Sequence, residues 1–302
     1  MRTEHPSPRY SAIDLWDPPE ILDAMIEGQF AAIATVHAAR AALERAALGI
    51  EGRLRGGGRL VYAGAGTSGR LAVQDGAELI PTFGWPPERI VMLMAGGEDA
   101  LVRAVEGAED DVDGAIALVH RHAIDAKDAL VAVAASGTTA FTVACLREAA
   151  QRGALTVGIA NNPNTPILDE ADHPIWLDTG AEAIAGSTRM KAGTAQRVAL
   201  TMLSSLVMIR LGRVYEGLMV NVQATNEKLV RRSERILAQL TGQSRDRVRE
   251  ALRQARGSVK LAFLLLDGSA PDDARAALTE TGGDLRAAKA AITARRSQKK
   301  RA

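Results

Sequence analysis

The stretch RLVYAGAGTSG at residues 59–69 decides the expected fold of this chain. Its first half is a short apolar run of the kind that forms a buried strand, and GAGTSG is a small-residue turn that leads into a helix-like segment. The same order of apolar run, turn and helical segment returns along the chain, with strands expected at 90–94, 129–134, 155–160 and 174–177. Apolar strands that alternate with helices predict a parallel sheet covered by helices on both faces.

Helical segments are expected on both sides of this α/β region. Residues 20–50 carry apolar side chains at helical spacing, among them Ile26, Phe30 and Ile33, and the glycines at 56–58 end the run. No strand is expected beyond about residue 212, where the pattern indicates one long helix and then several short ones. The predicted organisation is an N-terminal helical segment at 1–50, an α/β domain at 51–213 and a small C-terminal helical domain at 214–302, with the long helix at 220–240.

Composition narrows the classes of function. The 37 basic and 36 acidic residues nearly cancel, which argues against a chain-wide electrostatic grip on nucleic acid. The single cysteine, Cys145, cannot close an internal disulfide, and no cluster of metal ligands is visible. No apolar signal-peptide core follows the first residues, and the apolar stretch at 198–209 is too short to span a bilayer. A cytoplasmic protein without a membrane or nucleic-acid partner, a metal or another cofactor is expected.

The first turn, Gly64 to Gly69, satisfies the G-x-G-x-x-G pattern of dinucleotide-binding proteins. That class of site needs an acidic residue at the end of the second strand, where it holds a ribose hydroxyl. Here the second strand ends in Ala95-Gly96-Gly97, and the nearest acids, Glu98 and Asp99, come late. The dinucleotide interpretation is therefore disfavoured.

A second turn, Ser136-Gly137-Thr138-Thr139, follows the expected third strand and precedes another helix. Backbone amides and the helix dipole favour an anion at such a position, and short hydroxyl side chains suit a compact phosphate monoester. Neither turn contains a lysine, which excludes a Walker-type nucleotide site. Each turn alone could simply be a capped strand-to-helix connection, but two in one sheet favour a phosphosugar ligand.

Two glutamates, Glu78 and Glu109, are candidate acid–base groups. From the residues alone, both are most simply solvated carboxylates on helices. A ten-residue helix is about 15 Å long, so Glu78 would lie far from the first turn unless the chain folds back or another subunit supplies it.

Longer motifs resemble the N-acetylmuramic acid 6-phosphate etherase family, which is related to the glucokinase regulatory protein. The first is LVYAGAGTSGRL at 60–71 with DGAE at 75–78, and the second is GAEAIAGSTRMKAGTAQ at 180–196. NVQATNEKL at 221–229 and the opening Thr3-Glu4 agree as well. The resemblance covers nearly the whole chain.

The resemblance implies a three-layer α/β/α sandwich of the sugar-isomerase type, with a parallel sheet, N-terminal helices and a small C-terminal helical domain. It implies a homodimer with active sites near the subunit interface. It also implies Glu78 as proton donor and Glu109 as the base. The substrate-binding residues that it implies are Gly66, Thr67, Ser68, Ser136, Gly137, Thr138, Thr139, Ser187 and Lys191.

The activity implied by the resemblance is cleavage of the D-lactyl ether of N-acetylmuramic acid 6-phosphate, by elimination and then hydration, in the recycling of cell-wall amino sugars. One departure concerns the second turn, where Thr138 occupies a position at which the family usually has arginine. Two alternatives remain open at this point: a phosphosugar-binding regulator without catalytic activity, and a phosphosugar aldose–ketose isomerase.

Overall fold

The structure is a computed structural model that describes residues 1–221 and 227–299. It divides into two compact units. The first unit comprises Met1–Glu78 and Pro86–Val207, and the second comprises Leu79–Trp85 and Met208–Ala302.

The described residues contain strands, α-helices and short 3-10 turns. The strands are β1 (Leu60–Gly64), β2 (Ile90–Met94), β3 (Ala129–Ala134), β4 (Leu155–Ala160), β5 (His173–Trp176), β6 (Val214–Tyr215) and β7 (Leu218–Met219). The helices are α1 (Pro18–Ala38), α2 (Arg40–Arg55), α3 (Gly66–Phe83), α4 (Val112–Arg121), α5 (Ala140–Gln151), α6 (Pro166–Glu170), α7 (Lys191–Arg210), α8 (Glu227–Thr241), α9 (Arg245–Gln254), α10 (Val259–Leu266), α11 (Pro271–Glu280) and α12 (Leu285–Lys299).

Strands β1 to β5 form one parallel sheet in the order β2-β1-β3-β4-β5, and each lies within one residue of its predicted position. Ala63 of β1 pairs with Leu93 on one side and with Ala132 on the other. The chain moves from β1 outward to β2 and then returns to place β3 on the opposite side of β1. This reversal puts the carboxyl ends of β1 and β3 next to each other, where open α/β sheets bind their ligands.

Helices cover both faces of the sheet. Alternate residues of β1, among them Val61 and Ala63, pack with α4 and α5 in one buried cluster. On the other face α3 approaches β1 so closely that a Cβ on Gly76 would lie 3.1 Å from the ring of Tyr62. The Tyr62 hydroxyl donates to the carboxylate of Asp75 at 2.8 Å, which fixes the middle of α3 on the sheet. The predicted α/β/α class is confirmed.

Helix α1 turns small residues toward the protein and large ones away from it. Its buried residues lie four positions apart, and most of them are small: Ala24, Gly28, Ala32 and Val36. Ile26, Phe30 and Ile33, which carry the predicted helical period, are instead 50–68% exposed, as is Leu22. The helix is confirmed, but the chain by itself does not bury the apolar face that the sequence predicts.

The second unit has its own core, formed by apolar residues of α8 to α12 that include the predicted Leu252, Val259 and Leu264. The expectation that strands stop at residue 212 is wrong, because β6 and β7 form a short antiparallel hairpin. The predicted helix at 220–240 corresponds to α8 over Glu227–Thr241, and its predicted residues 222–226 lie outside the described residues.

Two further predictions concern buried residues of the first unit. Cys145 is fully buried on α5, and burial raises the pKa of its thiol to about 12, so it is an inert core residue. The apolar stretch at 198–209 belongs to α7, which at 20 residues is long and apolar enough to cross a membrane. More than half of its apolar window is buried within the protein, as in the core helix of a folded domain.

Candidate active site

The turn after β1 depends on glycine at close approaches. A Cβ on Gly64 would lie 2.8 Å from the Cα of Gly69, so the turn can only close in this way with glycine at both positions. Gly66 has φ of +52°, a left-handed conformation that favours glycine. Thr67 and Ser68 follow in the first turn of α3, where backbone N–H groups lack helical partners. Ser68 is buried and Thr67 is half-buried.

The turn after β3 is held by its own hydroxyls. The Ser136 Oγ accepts a hydrogen bond from the backbone N–H of Thr138 at 3.1 Å and lies 3.2 Å from the Thr139 Oγ1. Gly137 has φ of +73°, and a Cβ there would overlap the side chain of Thr165. Thr139 precedes α5 without capping it through its side chain. The turn therefore carries hydroxyl groups at the carboxyl end of β3, the strand next to β1, but none of residues 136–139 lines the cavity that Gly66 and Thr67 share with Glu109.

Glu109 lies against the β1 turn. It comes from a short 3-10 turn, Ala108–Asp110, in the segment between β2 and α4. One oxygen of its carboxylate lies 2.7 Å from the position that a Cβ on Gly66 would occupy. Sequence reasoning alone could not place this residue, because nothing in its spacing fixes how the segment folds back over the sheet.

A cavity of about 300 Å³ opens between the β1 turn and the segment that follows β2. Gly66 and Thr67 line it on one side, Glu109 on the other, and Thr188 closes a further part of the wall. Two arginines, Arg70 and Arg103, also line it. Thr188, Arg70 and Arg103 were not among the residues predicted from the sequence.

Glu78 does not belong to this cavity within one chain. It is an exposed residue of α3, twelve residues beyond Gly66. At a rise of 1.5 Å per residue, that places it about 18 Å along the helix axis from the turn that holds Glu109. The two candidate carboxylates are therefore separated along α3 in a single chain.

The segment between β5 and α7 carries the last two predicted site residues. Ser187 is half-buried and does not line the cavity, whereas its neighbour Thr188 does. Lys191 begins α7 and is 8% exposed, and burial lowers the pKa of its ammonium group.

A residue missed at the sequence level, Glu182, organises this segment. Its carboxylate accepts hydrogen bonds from the backbone N–H groups of Lys191 and Ala192 at 3.1 and 2.8 Å, which caps the start of α7. Glu182 is 1% exposed, and burial raises the pKa of its carboxyl group against the effect of these hydrogen bonds. We assign it a structural role in holding the loop beside Thr188.

The N-terminus also reaches this edge of the sheet. Thr3 is fully buried, and its hydroxyl accepts from the side-chain amide of Asn162, which follows β4, at 3.0 Å. The carbonyl oxygen of Thr3 accepts from the backbone N–H of Gly186 at 3.0 Å, and the Glu4 carboxylate lies against Gly186. The Thr3-Glu4 motif thus anchors the loop that carries Ser187 and Thr188.

The region that contains the parallel sheet matches sugar-isomerase (SIS) domains, which gives the class of protein. Residues 44–150 match the glucokinase regulatory protein N-terminal SIS domain, and residues 105–206 match the SIS domain. The fold is shared with a phosphoheptose isomerase from Francisella tularensis, at a TM-score of 0.50 and 18% identity over 64% of this chain and 100% of that one.

The chain belongs to the N-acetylmuramic acid 6-phosphate etherase family. It is 48% identical over 286 residues to the N-acetylmuramic acid 6-phosphate etherase of Deinococcus radiodurans, across 94% of both chains. It is 50% identical over 241 residues to the protein of the same name from Streptomyces coelicolor, across 79% of this chain and 77% of that one.

Proposed function

We propose that this protein is a carbon–oxygen lyase that cleaves the D-lactyl ether of N-acetylmuramic acid 6-phosphate, which gives N-acetylglucosamine 6-phosphate and D-lactate. Family membership at 48% identity over 94% of the chain supports the substrate. The observation that carries the chemistry is the Glu109 carboxylate, which touches the β1 turn at Gly66 where a sugar phosphate would be held.

Elimination is the reaction that suits this site, because an unactivated ether is a poor target for direct hydrolysis. Opening of the sugar ring exposes an aldehyde, which acidifies the hydrogen on C2. Glu109 removes that proton, the C3–O bond breaks, and the lactate oxygen takes a proton from Glu78. Water then adds across the C2–C3 double bond, with hydroxyl on C3 and hydrogen on C2. Neither the elimination nor the hydration needs an external oxidant or reductant.

Phosphate binding falls to the two turns. In this proposal Thr67, Ser68 and the residues 136–139 hold the phosphate through hydroxyl and amide donors. These groups are neutral, and Thr138 supplies a hydroxyl where the family usually has a guanidinium. Ser187 and Lys191 complete the proposed substrate-binding set from the loop and from the start of α7.

The active protein is a homodimer in this proposal. The exposed row on α1, made of Leu22, Ile26, Phe30 and Ile33, would bury apolar surface against a second copy. Glu78, about 18 Å along α3 from the β1 turn, would then serve the site of the partner subunit. In this proposal the protein acts in the cytoplasm, where the phosphorylated amino sugar of cell-wall recycling would be available.

The decisive experiment measures D-lactate release from N-acetylmuramic acid 6-phosphate by the purified protein and by Glu109→Gln. We expect the variant to lose about a thousandfold or more of kcat, because the C2 proton has no base. Glu106→Gln, at another exposed carboxylate of the same segment, is the matched control and should retain wild-type activity.

Turnover of the wild type in heavy water should leave deuterium on C2 of N-acetylglucosamine 6-phosphate. Unlabelled product would indicate direct displacement and would contradict the elimination. Binding of the substrate without D-lactate release would indicate a regulator, and formation of a ketose phosphate from a hexose phosphate would indicate an isomerase.

A further inference from the structure

The wall of the cavity beside Glu109 includes two arginines that the proposed phosphate binding at the two turns does not use. Arg70 and Arg103 line it together with a single carboxylate, Glu109. Its volume of about 300 Å³ is within the range of small-molecule sites. The phosphate-binding role assigned to residues 66–68 and 136–139 uses neither arginine.

The two arginines differ in how they are held. The Arg70 guanidinium donates from Nε to the Ala100 carbonyl at 2.8 Å and from Nη2 to the Arg103 carbonyl at 3.0 Å. It therefore ties α3 to the segment after β2 and shapes the cavity wall. Arg103 is exposed, and its side chain has no hydrogen-bond or ion-pair partner among residues 1–221 and 227–299. Its guanidinium is available to a ligand.

The strand order sets the order in which the loops that carry these groups follow one another. The segment with Arg103 and Glu109 follows β2, the β1 turn lies in the middle, and the turn at 136–139 follows β3 on the far side. Neighbouring strands lie about 4.8 Å apart, so the three loops succeed one another along the carboxyl edge of the sheet. A ligand with its phosphate toward β3 would extend its opposite end toward the cavity that Glu109 and Arg103 line.

The proposed substrate has a second anion at that end. Its phosphate is on C6, whereas the lactyl group on C3 carries a carboxylate next to the bond that breaks. We propose that Arg103, with Arg70 fixed behind it, binds the lactyl carboxylate and so determines that the site accepts an anionic ether. This inference rests on the proposed function and adds to it a specificity residue outside the phosphate turns.

Guanidinium and carboxylate groups match in geometry and can form two parallel charge-assisted hydrogen bonds. Bound in this way, the lactyl group would be held on the opposite side of C3 from the phosphate, with the reacting C2 beside Glu109. The product N-acetylglucosamine 6-phosphate lacks the carboxylate and would lose this contact, which favours its release after D-lactate departs.

The test compares kcat/KM for two substrates on the wild type and on variants of Arg103. The substrates are N-acetylmuramic acid 6-phosphate and the same compound with its lactyl carboxylate converted to an uncharged carboxamide. We expect Arg103→Gln to lower kcat/KM for the acid by about tenfold to a hundredfold and to change kcat/KM for the amide by less than about threefold. Arg103→Lys keeps the charge and should recover part of the loss.

Arg45→Gln, which removes an exposed arginine from α2, controls for the loss of one positive charge and should leave both substrates unaffected. Equal losses on acid and amide by Arg103→Gln would overturn the inference, since the carboxylate would then not be the group recognised. Thermal unfolding checks that Arg103→Gln is folded. If it is not, the acid-to-amide ratio of kcat/KM is measured on Arg103→Lys, where a ratio equal to that of wild type would overturn the inference.

Calorimetric binding of the two compounds separates this inference from the proposed function. A wild-type protein that releases no D-lactate overturns the etherase activity, whatever Arg103 does. A wild-type protein that binds the acid and the amide equally well overturns the role of Arg103, even if D-lactate is released.

Discussion

Two positions on α3 differ sharply in what surrounds them. At the first turn, Gly66 and Thr67 face a cavity with Glu109 and two arginines in its wall. Twelve residues further on, Glu78 is exposed. The first position borders a cavity, and the second is an exposed carboxylate on the helix surface.

In the proposed mechanism, this difference means that one chain would supply only one of the two carboxylates at any one site. Glu78 lies about 18 Å along the helix axis from Gly66, which Glu109 contacts, and it does not line the cavity of its own chain. The exposed apolar row on α1 offers the surface through which a second copy could bring its own Glu78 to the cavity.

The largest effect is expected from hybrid dimers. Glu78→Gln and Glu109→Gln should each be inactive as homodimers. A hybrid of the two, isolated through different affinity tags, should regain about half of the wild-type D-lactate release, because one of its two sites carries both native carboxylates. If both carboxylates of a site came from one chain, this hybrid would remain inactive.

The reverse hybrid is the matched control. It pairs a wild-type chain with a chain that carries both substitutions. Shared sites predict no activity, since each site would contain one glutamine, whereas sites built within one chain predict about half of the wild-type activity. The two hybrids thus give opposite results under the two arrangements.

A smaller loss is expected from Gly66→Ala, which changes only the first position. The new Cβ would lie 2.7 Å from the Glu109 carboxylate and would displace it. Because a shift of about 1 Å in a reacting group can cost about a hundredfold, we expect kcat/KM to fall by about that factor. Steady-state kinetics of D-lactate release measures it.

Gly282→Ala separates displacement of Glu109 from the strain of a positive φ. Gly282 has φ of +60°, close to the φ of +52° at Gly66, but a Cβ there would meet no atom within 4 Å. This control should keep kcat/KM within about threefold of wild type. Equal losses in both variants would mean that Glu109 is not held by contact with Gly66.

The same contrast explains what could be predicted from the sequence. The five strands and the two turns follow from apolar runs and small residues that are local in sequence, and each strand is found within one residue of its predicted position. Glu109 was identified only by resemblance, because its place depends on how residues 95–111 fold back over the sheet. Arg103 was missed for the same reason.

The burial of Thr3 could not be predicted because its partners are distant in sequence. Thr3 is buried only because Asn162 and Gly186 bind it across the sheet edge, more than 150 residues away. The predicted buried face of α1 is wrong for a physical reason as well. Small residues at Ala24, Gly28 and Ala32 let the helix pack closely through that face, so Phe30 and its apolar neighbours are exposed. Helical spacing gives the period of such a helix but does not say which stripe the chain itself buries.

The smallest expected effect concerns Asp75, which holds α3 between its two functional positions. Burial raises the pKa of the Asp75 carboxyl, against hydrogen bonds that include one from Tyr62. A raised folded-state pKa gives stability that is fully present below the unfolded pKa of about 4 and is lost as pH rises through the folded-state pKa. The free energy of unfolding of wild type, relative to Asp75→Asn, should therefore decline from about pH 4 toward neutrality.

Urea unfolding at several pH values would measure this decline, with Asp113→Asn at an exposed position of α4 as the control for loss of one carboxylate. Activity of Asp75→Asn should stay near wild type, since the amide can keep the contact with Tyr62 and α3 remains in place. A pH slope of the opposite sign would mean that hydrogen bonding outweighs burial at Asp75. A large loss of activity in a folded Asp75→Asn protein would mean instead that the position of α3 in the active protein depends on the charge of Asp75.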